Sequence, residues 1–132
     1  MSEAGSGYLA DACALIVFHA AGGRGMSAAA LAAMRGGDVA VSAITVWEIT
    51  RKVALGKLPL LPAVQGSFAG WLRDAGYTLL PLDVLAAEQA NALPPHHADP
   101  MDRMLLATAR LTGRIILTED AAFRAYGLPL LW

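Results

Sequence analysis

The sequence predicts an α/β fold, a three-layer α/β/α sandwich around a central parallel sheet. Three observations carry that expectation. Short apolar runs of strand length alternate with longer stretches that read as helices. Glycines and prolines stand at the joints between them. Acids recur just past the ends of the strand-like runs, where parallel sheets place their ligand sites.

Taken in order, Tyr8-Leu9-Ala10 reads as a buried strand that ends at Asp11. Ala12 to Ala20 reads as a helix closed by Gly22-Gly23. Ser27 is an N-cap for a second helix that Gly36-Gly37 stops. Val39 to Ser42 is a second strand, followed by a helix from Ala43 with Gly56 in the C-cap position. Ile44, Trp47, Ile49 and Val53 are expected to supply the apolar surface of that helix. Lys57 to Pro62 reads as a linker, and Ala63 to Ala75 as a helix weakened by Gly66 and Gly70.

Thr78 to Pro81 is expected to be an edge strand, because proline cannot donate to a ladder. Asp83 caps a helix running to about Leu93, which Pro94-Pro95 break. Met101 to Thr112 is a helix with Pro100 in its first turn and Gly113 after its end. Ile115 to Thr118 reads as a central strand, Asp120 to Tyr126 as a short helix and Leu128 to Leu131 as a last strand.

At 132 residues the chain fits one domain with a sizeable core, residues 1–7 being a loose tail. Apolar residues form 56% and charged ones 16%, which excludes disorder. The net charge of −1 and the lack of a basic run show no bulk attraction to nucleic acid, so a basic face could arise only on folding. One cysteine, Cys13, excludes an internal disulfide and fits a reducing, cytoplasmic location. No stretch supplies the roughly 18 unbroken apolar residues of a membrane span, and the first residues lack the pattern of a secretion signal. So high an apolar fraction in a short chain points to a buried partner interface.

The chemistry concentrates between His96 and Phe123, which hold Asp99, Asp102, Glu119 and Asp120. Crowded carboxylates repel and are costly to desolvate, so something cationic is expected beside them. Asp11 follows the first strand, Glu48 lies in the helix after the second, Asp102 begins a helix and Asp120 follows the next strand. A parallel sheet can bring all four to one cleft. Clustered oxygens suit Mg²⁺ or Mn²⁺, and such ions bind carboxylate and phosphate together, which points to phosphodiester hydrolysis. The plain alternative is that each acid caps a helix, as Asp83 does and as Asp99 or Asp102 can.

Four stretches together match a known pattern: Tyr8 to Ile16, Val41 to Ile49, His97 to Ala109 and Leu117 to Phe123, with a Tyr-Gly-x-Pro-x-Leu-Trp ending from Tyr126 to Trp132. In this order they resemble the PIN-domain family, and within it the VapC-type toxins of toxin–antitoxin pairs. The resemblance implies a metal-dependent endoribonuclease that leaves a 5′-phosphate and a 3′-hydroxyl. It assigns Asp11 and Asp102 as principal metal ligands, with Glu48 and Asp120 completing the site, partly through water. Asp99 takes an accessory part in an Asp-Pro-x-Asp-Arg variant of the motif. The implied partners are an antitoxin and an RNA substrate, in a homodimer and a toxin–antitoxin hetero-oligomer. Cys13 departs from the pattern, standing where many members carry Ser or Thr, so a hydroxyl contact near the metal is in question.

Other side chains have two readings each. Thr118 orients a carboxylate or simply caps, and the same choice applies to Ser42. Arg103 contacts phosphate or braces the acids, while Arg51 and Lys52 rim the cleft or form a wet helix face. His96 and His97 read as a solvated loop pair, Cys13 as buried core, and Trp47, Trp71 and Trp132 as core or interface anchors. The rival functions are a PIN nuclease in RNA processing or acting on DNA, and a catalytically silent PIN binding module. A phospho-accepting receiver domain is excluded, because no lysine follows Lys57.

Overall fold

The computed structural model of the chain describes residues 7–59 and 66–132. Its sheet has five parallel strands, β1 (Tyr8–Ala10), β2 (Val39–Ser42), β3 (Thr78–Leu80), β4 (Ile115–Leu117) and β5 (Leu130–Leu131). Their order is β3-β2-β1-β4-β5, so β3 is an edge strand as expected and β4 lies inside the sheet. Among the described residues seven helical segments connect them: α1 (Ala12–Ala20), α2 (Ala28–Gly36), α3 (Ala43–Ala54), α4 (Phe68–Asp74), α5 (Val84–Ala90), α6 (Pro100–Thr112) and a 3₁₀ turn (Ala121–Tyr126).

Alternation along the strands divides the interior into two layers. Ala10, Val39, Val41 and Leu117 face one core, together with Ala14 and Leu15 of α1, Met34 of α2, Ile49 of α3 and Leu72 of α4. Leu9, Ala40 and Ile116 face the other, against Ala86 and Ala90 of α5, Leu105 and Leu106 of α6 and Phe123 of the 3₁₀ turn. Helices on both faces of a parallel sheet make the expected three-layer α/β/α sandwich.

Local chemistry sets the ends of the elements. Ser27, Ser42, Ser67 and Asp83 each accept a backbone N–H in the first turn of the helix they precede. Gly113 ends α6 with φ 69°, a conformation that costs glycine nothing and other residues about 1 kcal/mol or more. The helix expected from Ala63 starts only at Phe68, because Gly66 at φ 76° cannot continue a right-handed turn into it. Residues 60–65, including part of that expected helix and of the linker, lie outside the described residues, as does most of the N-terminal tail. The helix after Asp83 ends at Ala90, not near Leu93; Asn91 and Ala92 close it with tight backbone bonds to Glu88 and Gln89. Trp47 is 48% exposed and so is not a core anchor of α3. Thr45 turns inward instead, and the Arg51 guanidinium stacks 5.3 Å above the Trp47 ring.

Leu106 is fully buried where α6 meets the sheet. Replacing it with alanine is expected to cost about 2–5 kcal/mol in urea unfolding, through lost transfer energy and a residual cavity. A loss below about 1 kcal/mol would mean that the α6 layer relaxes to fill the space.

Candidate active site

The strand order reverses between β1 and β4, and a crevice opens at their carboxyl ends. The Asp11 N–H donates to the Leu117 carbonyl at 3.1 Å, carrying the β1–β4 ladder to the rim. Asp11 therefore sits beside Thr118, Glu119 and Asp120. From the next strand, β2, the chain enters α3, whose second turn carries Glu48. Helix α6 enters from the other layer with Asp102 in its first turn. The resulting cleft has a volume of about 410 Å³, and its walls include Asp11, Glu48, Lys52, Asp102, Glu119 and Asp120. The four acids singled out from the sequence thus share one cleft.

Capping and cleft lining are not exclusive. Asp11 accepts the Ala14 N–H through Oδ1 at 2.8 Å and caps α1. Asp120 accepts the Ala122 N–H through Oδ1 at 2.9 Å, while its Oδ2 faces the imidazole of His97. Asp99 is the N-cap of α6 and accepts the Met101 N–H at 2.8 Å; it does not line the cleft. Thr118 is almost wholly buried. Its hydroxyl accepts the Asp120 N–H at 3.0 Å and stands near enough to the Asp11 carboxylate to favour its charged form. Ser42, also buried, caps α3 by accepting the Ile44 N–H at 3.1 Å.

Burial pushes the Asp11 carboxyl up to about 6, against the opposing pull of Thr118 and the Ala14 N–H, with Glu48 and Asp120 adding repulsion. Asp102 is also pushed up to about 6, first by burial and then by the Asp99 charge, while His97 opposes the rise. The cations nearby are few. Lys52 is the one cationic side chain among the described residues lining the cleft, and it pairs with Glu48 at 3.3 Å. Arg51, by contrast, lies on Trp47.

Three side chains occupy places that differ from the sequence expectation. His97 is not a solvated loop residue. Its Nε2 lies 3.0 Å from Asp102 Oδ2 and 3.3 Å from Asp120 Oδ2, and the three groups lie within 4.8 Å of one another. His96 does stay exposed, edge-on to Tyr126. Cys13 is half-buried on the cleft wall rather than in the core, and its thiol donates to Glu119 at 3.3 Å. Burial and that acceptor push the thiol up to about 12, so it offers no thiolate. Arg103 contacts neither cleft nor acids: its guanidinium holds the carbonyls of Leu93, Pro94 and His97. Glu119 was visible only as the neighbour of Asp120. The signal for His97 was its place two residues before the cap of α6.

The donor set fits a hard divalent cation. Carboxylate oxygens dominate, the thiol stays protonated, and the charge repulsion recorded at Asp11 and Asp102 is what a cation would relieve. Asp102 and Asp120 would hold such an ion, with Asp11 and Glu48 lining the same cleft.

Fold and cleft define an α/β protein with an acid-lined site at the switch point of a parallel sheet. The PIN domain family model matches residues 8–128, and the chain belongs to that family. It is similar in fold to VapBC2 from Rickettsia felis bound to a DNA fragment from its promoter, with a TM-score of 0.68 at 12% identity, over 93% of this chain and 96% of that one. It is also similar to a toxin–antitoxin complex from Klebsiella pneumoniae, with a TM-score of 0.64 at 22% identity over 95% and 96%. A third likeness is FitAcB from Neisseria gonorrhoeae, with a TM-score of 0.57 at 21% identity over 95% and 96%. Among curated proteins none matches the chain.

The raised carboxyls set a pH dependence. The folded metal-free protein binds more protons than the unfolded chain between about pH 4 and 6, so its stability falls as pH rises through that window. Asp11→Asn keeps a good cap and removes one charge. It is expected to raise the Tm of metal-free protein at pH 7.5 by about 4 °C or more, the gain fading near pH 4. A lower Tm at pH 7.5 would show that the charged form is favoured there.

Proposed function

We propose that the protein is a metal-dependent endoribonuclease, the toxin of a toxin–antitoxin pair, using Mg²⁺ or Mn²⁺. The observation that carries this reading is the gathering of Asp11, Glu48, Asp102 and Asp120 in one cleft of a PIN domain. The toxin part is supported by the likeness in fold to toxin–antitoxin complexes over nearly the full length of both chains. A bound divalent ion would neutralise a phosphate oxygen and favour deprotonation of water beside it.

The chain's own groups divide the remaining work. Asp102, Asp120 and Asp11 would hold the cation, with Glu48 binding directly or through water. Thr118 anchors the Asp120 backbone beside Asp11 by accepting its N–H. Lys52, on the wall with Glu48, supplies positive charge for an incoming phosphate. No side chain is required as a nucleophile, in keeping with a Cys13 thiol held protonated.

Partners are part of the proposal. Among the described residues no helix is long and apolar enough to cross a membrane. Exposed apolar side chains at Trp47, Leu82, Val84 and Leu85 instead offer a surface for a second copy of the chain. Light scattering is expected to give twice the 13.8 kDa mass, and Leu85→Glu to return it to the single value. A wild-type monomer at micromolar concentration would remove the homodimer from the reading.

Antitoxin-free protein incubated with total cellular RNA and Mg²⁺ or Mn²⁺ is expected to give discrete fragments bearing 5′-phosphates. EDTA should abolish them. Asp102→Asn should lose at least about a hundred-fold in rate, equivalent to roughly 2.7 kcal/mol of transition-state stabilisation. Intact RNA in every lane, from protein shown to be folded, would overturn the nuclease reading for cellular RNA.

A further inference from the structure

We propose that His97 is a positioning residue that holds Asp120 beside Asp102 through a fixed Nε2–H, and is not a nitrogen ligand of the metal. The proposal rests on the metal-nuclease reading of the cleft and deepens it. The spacing of the three side chains, all within 4.8 Å, would by itself also suit a cation bound by an imidazole and two carboxylates. The opposite ring nitrogen decides between the two.

His97 Nδ1 lies 3.2 Å from the backbone nitrogen of Asp99. A backbone N–H can only donate, so Nδ1 presents its lone pair there. The ring proton then sits on Nε2, the nitrogen that faces both acids. An N–H has no lone pair to give a metal. Ligation through Nε2 would require the proton on Nδ1, setting two donors face to face at Asp99. Histidines that bind metals show the reverse arrangement, in which the second nitrogen donates to a carboxylate or carbonyl. Here it is offered a donor.

Two further devices fix the ring. The Arg103 guanidinium clamps the loop ahead of α6, with Nη1 donating to the Pro94 carbonyl at 3.0 Å and to that of His97 at 3.1 Å. Its Nη2 donates to the Leu93 carbonyl at 2.7 Å. Phe123 meets the imidazole edge-on, with ring centroids 5.7 Å apart. Arg103 thus acts on the site only through the loop. Asp102 and Asp120 belong to different elements, and the one Nε2–H, hydrogen-bonded to Asp120 at 3.3 Å with Asp102 Oδ2 3.0 Å away, offsets their repulsion. The pair is held at ligating separation without waiting for a cation, which is preorganisation in the ordinary physical sense.

Two measurements test this on the full chain. Two-bond ¹H–¹⁵N correlations on metal-free protein at pH 7.5 report which ring nitrogen is bare. The expected result for His97 is a bare Nδ1 and a protonated Nε2; a proton on Nδ1 overturns the proposal. Calorimetric titration with Mn²⁺ then compares wild type, His97→Gln and His97→Ala, each checked for folding by its Tm. Glutamine can supply an N–H in place of Nε2–H. His97→Ala is expected to weaken Mn²⁺ binding about 10-fold or more and His97→Gln by no more than about 3-fold, in the range of outer-shell substitutions. Glutamine as poor as alanine would make His97 a ligand, and alanine as good as wild type would make it a bystander; either overturns the proposal. A wild type that binds no Mn²⁺ would overturn the metal reading of the cleft itself, an outcome distinct from the other two.

Discussion

Everything in this protein depends on holding carboxylates together against their mutual repulsion and the cost of drying them. The sheet does it by topology. Where β1 and β4 lie side by side, their carboxyl ends meet, and the Asp11 N–H to Leu117 carbonyl bond closes the ladder up to the rim. Residues on either side of that bond have nowhere else to point their chain. The Thr118 hydroxyl then fixes the backbone of Asp120 next to Asp11 by accepting its N–H. The rise of Asp11 and Asp102 to about 6 records the remaining strain, and in both the larger cause is burial rather than neighbouring charge.

Helix starts make this arrangement affordable. A cap contributes about 1 kcal/mol and fixes one oxygen of a carboxylate, leaving the other to meet a second partner. Asp120 shows the division plainly, with Oδ1 on the Ala122 N–H and Oδ2 toward His97. Asp99 does the opposite: it caps α6 from outside the cleft, and its own N–H reaches back to His97. The choice between structural cap and site residue therefore dissolves for Asp11 and Asp120, and stays sharp for Asp99.

Most of the fold was legible because its signals are short-range. Apolar runs of three or four residues, serine and aspartate caps, and glycines after helices each act within a turn of chain. The departures have local causes too. Gly66 at positive φ delays α4, and the backbone closes α5 before Pro94 is reached. Trp47 misled because an aromatic residue at a helical spacing looks like core, whereas Thr45 fills the inward position.

The acids themselves were determined by the sequence alone: their type, their places at the ends of apolar runs, and hence their arrival at one edge of a parallel sheet. What each neighbour does there was decided only in three dimensions. His97 joins a helix start to a 3₁₀ turn, its tautomer set by the Asp99 N–H and its loop by Arg103. Cys13 meets Glu119 across 106 positions of chain. The physical reason is range. Propensities and caps act between neighbours in sequence, whereas an imidazole's role depends on which donors and acceptors packing brings to its two nitrogens.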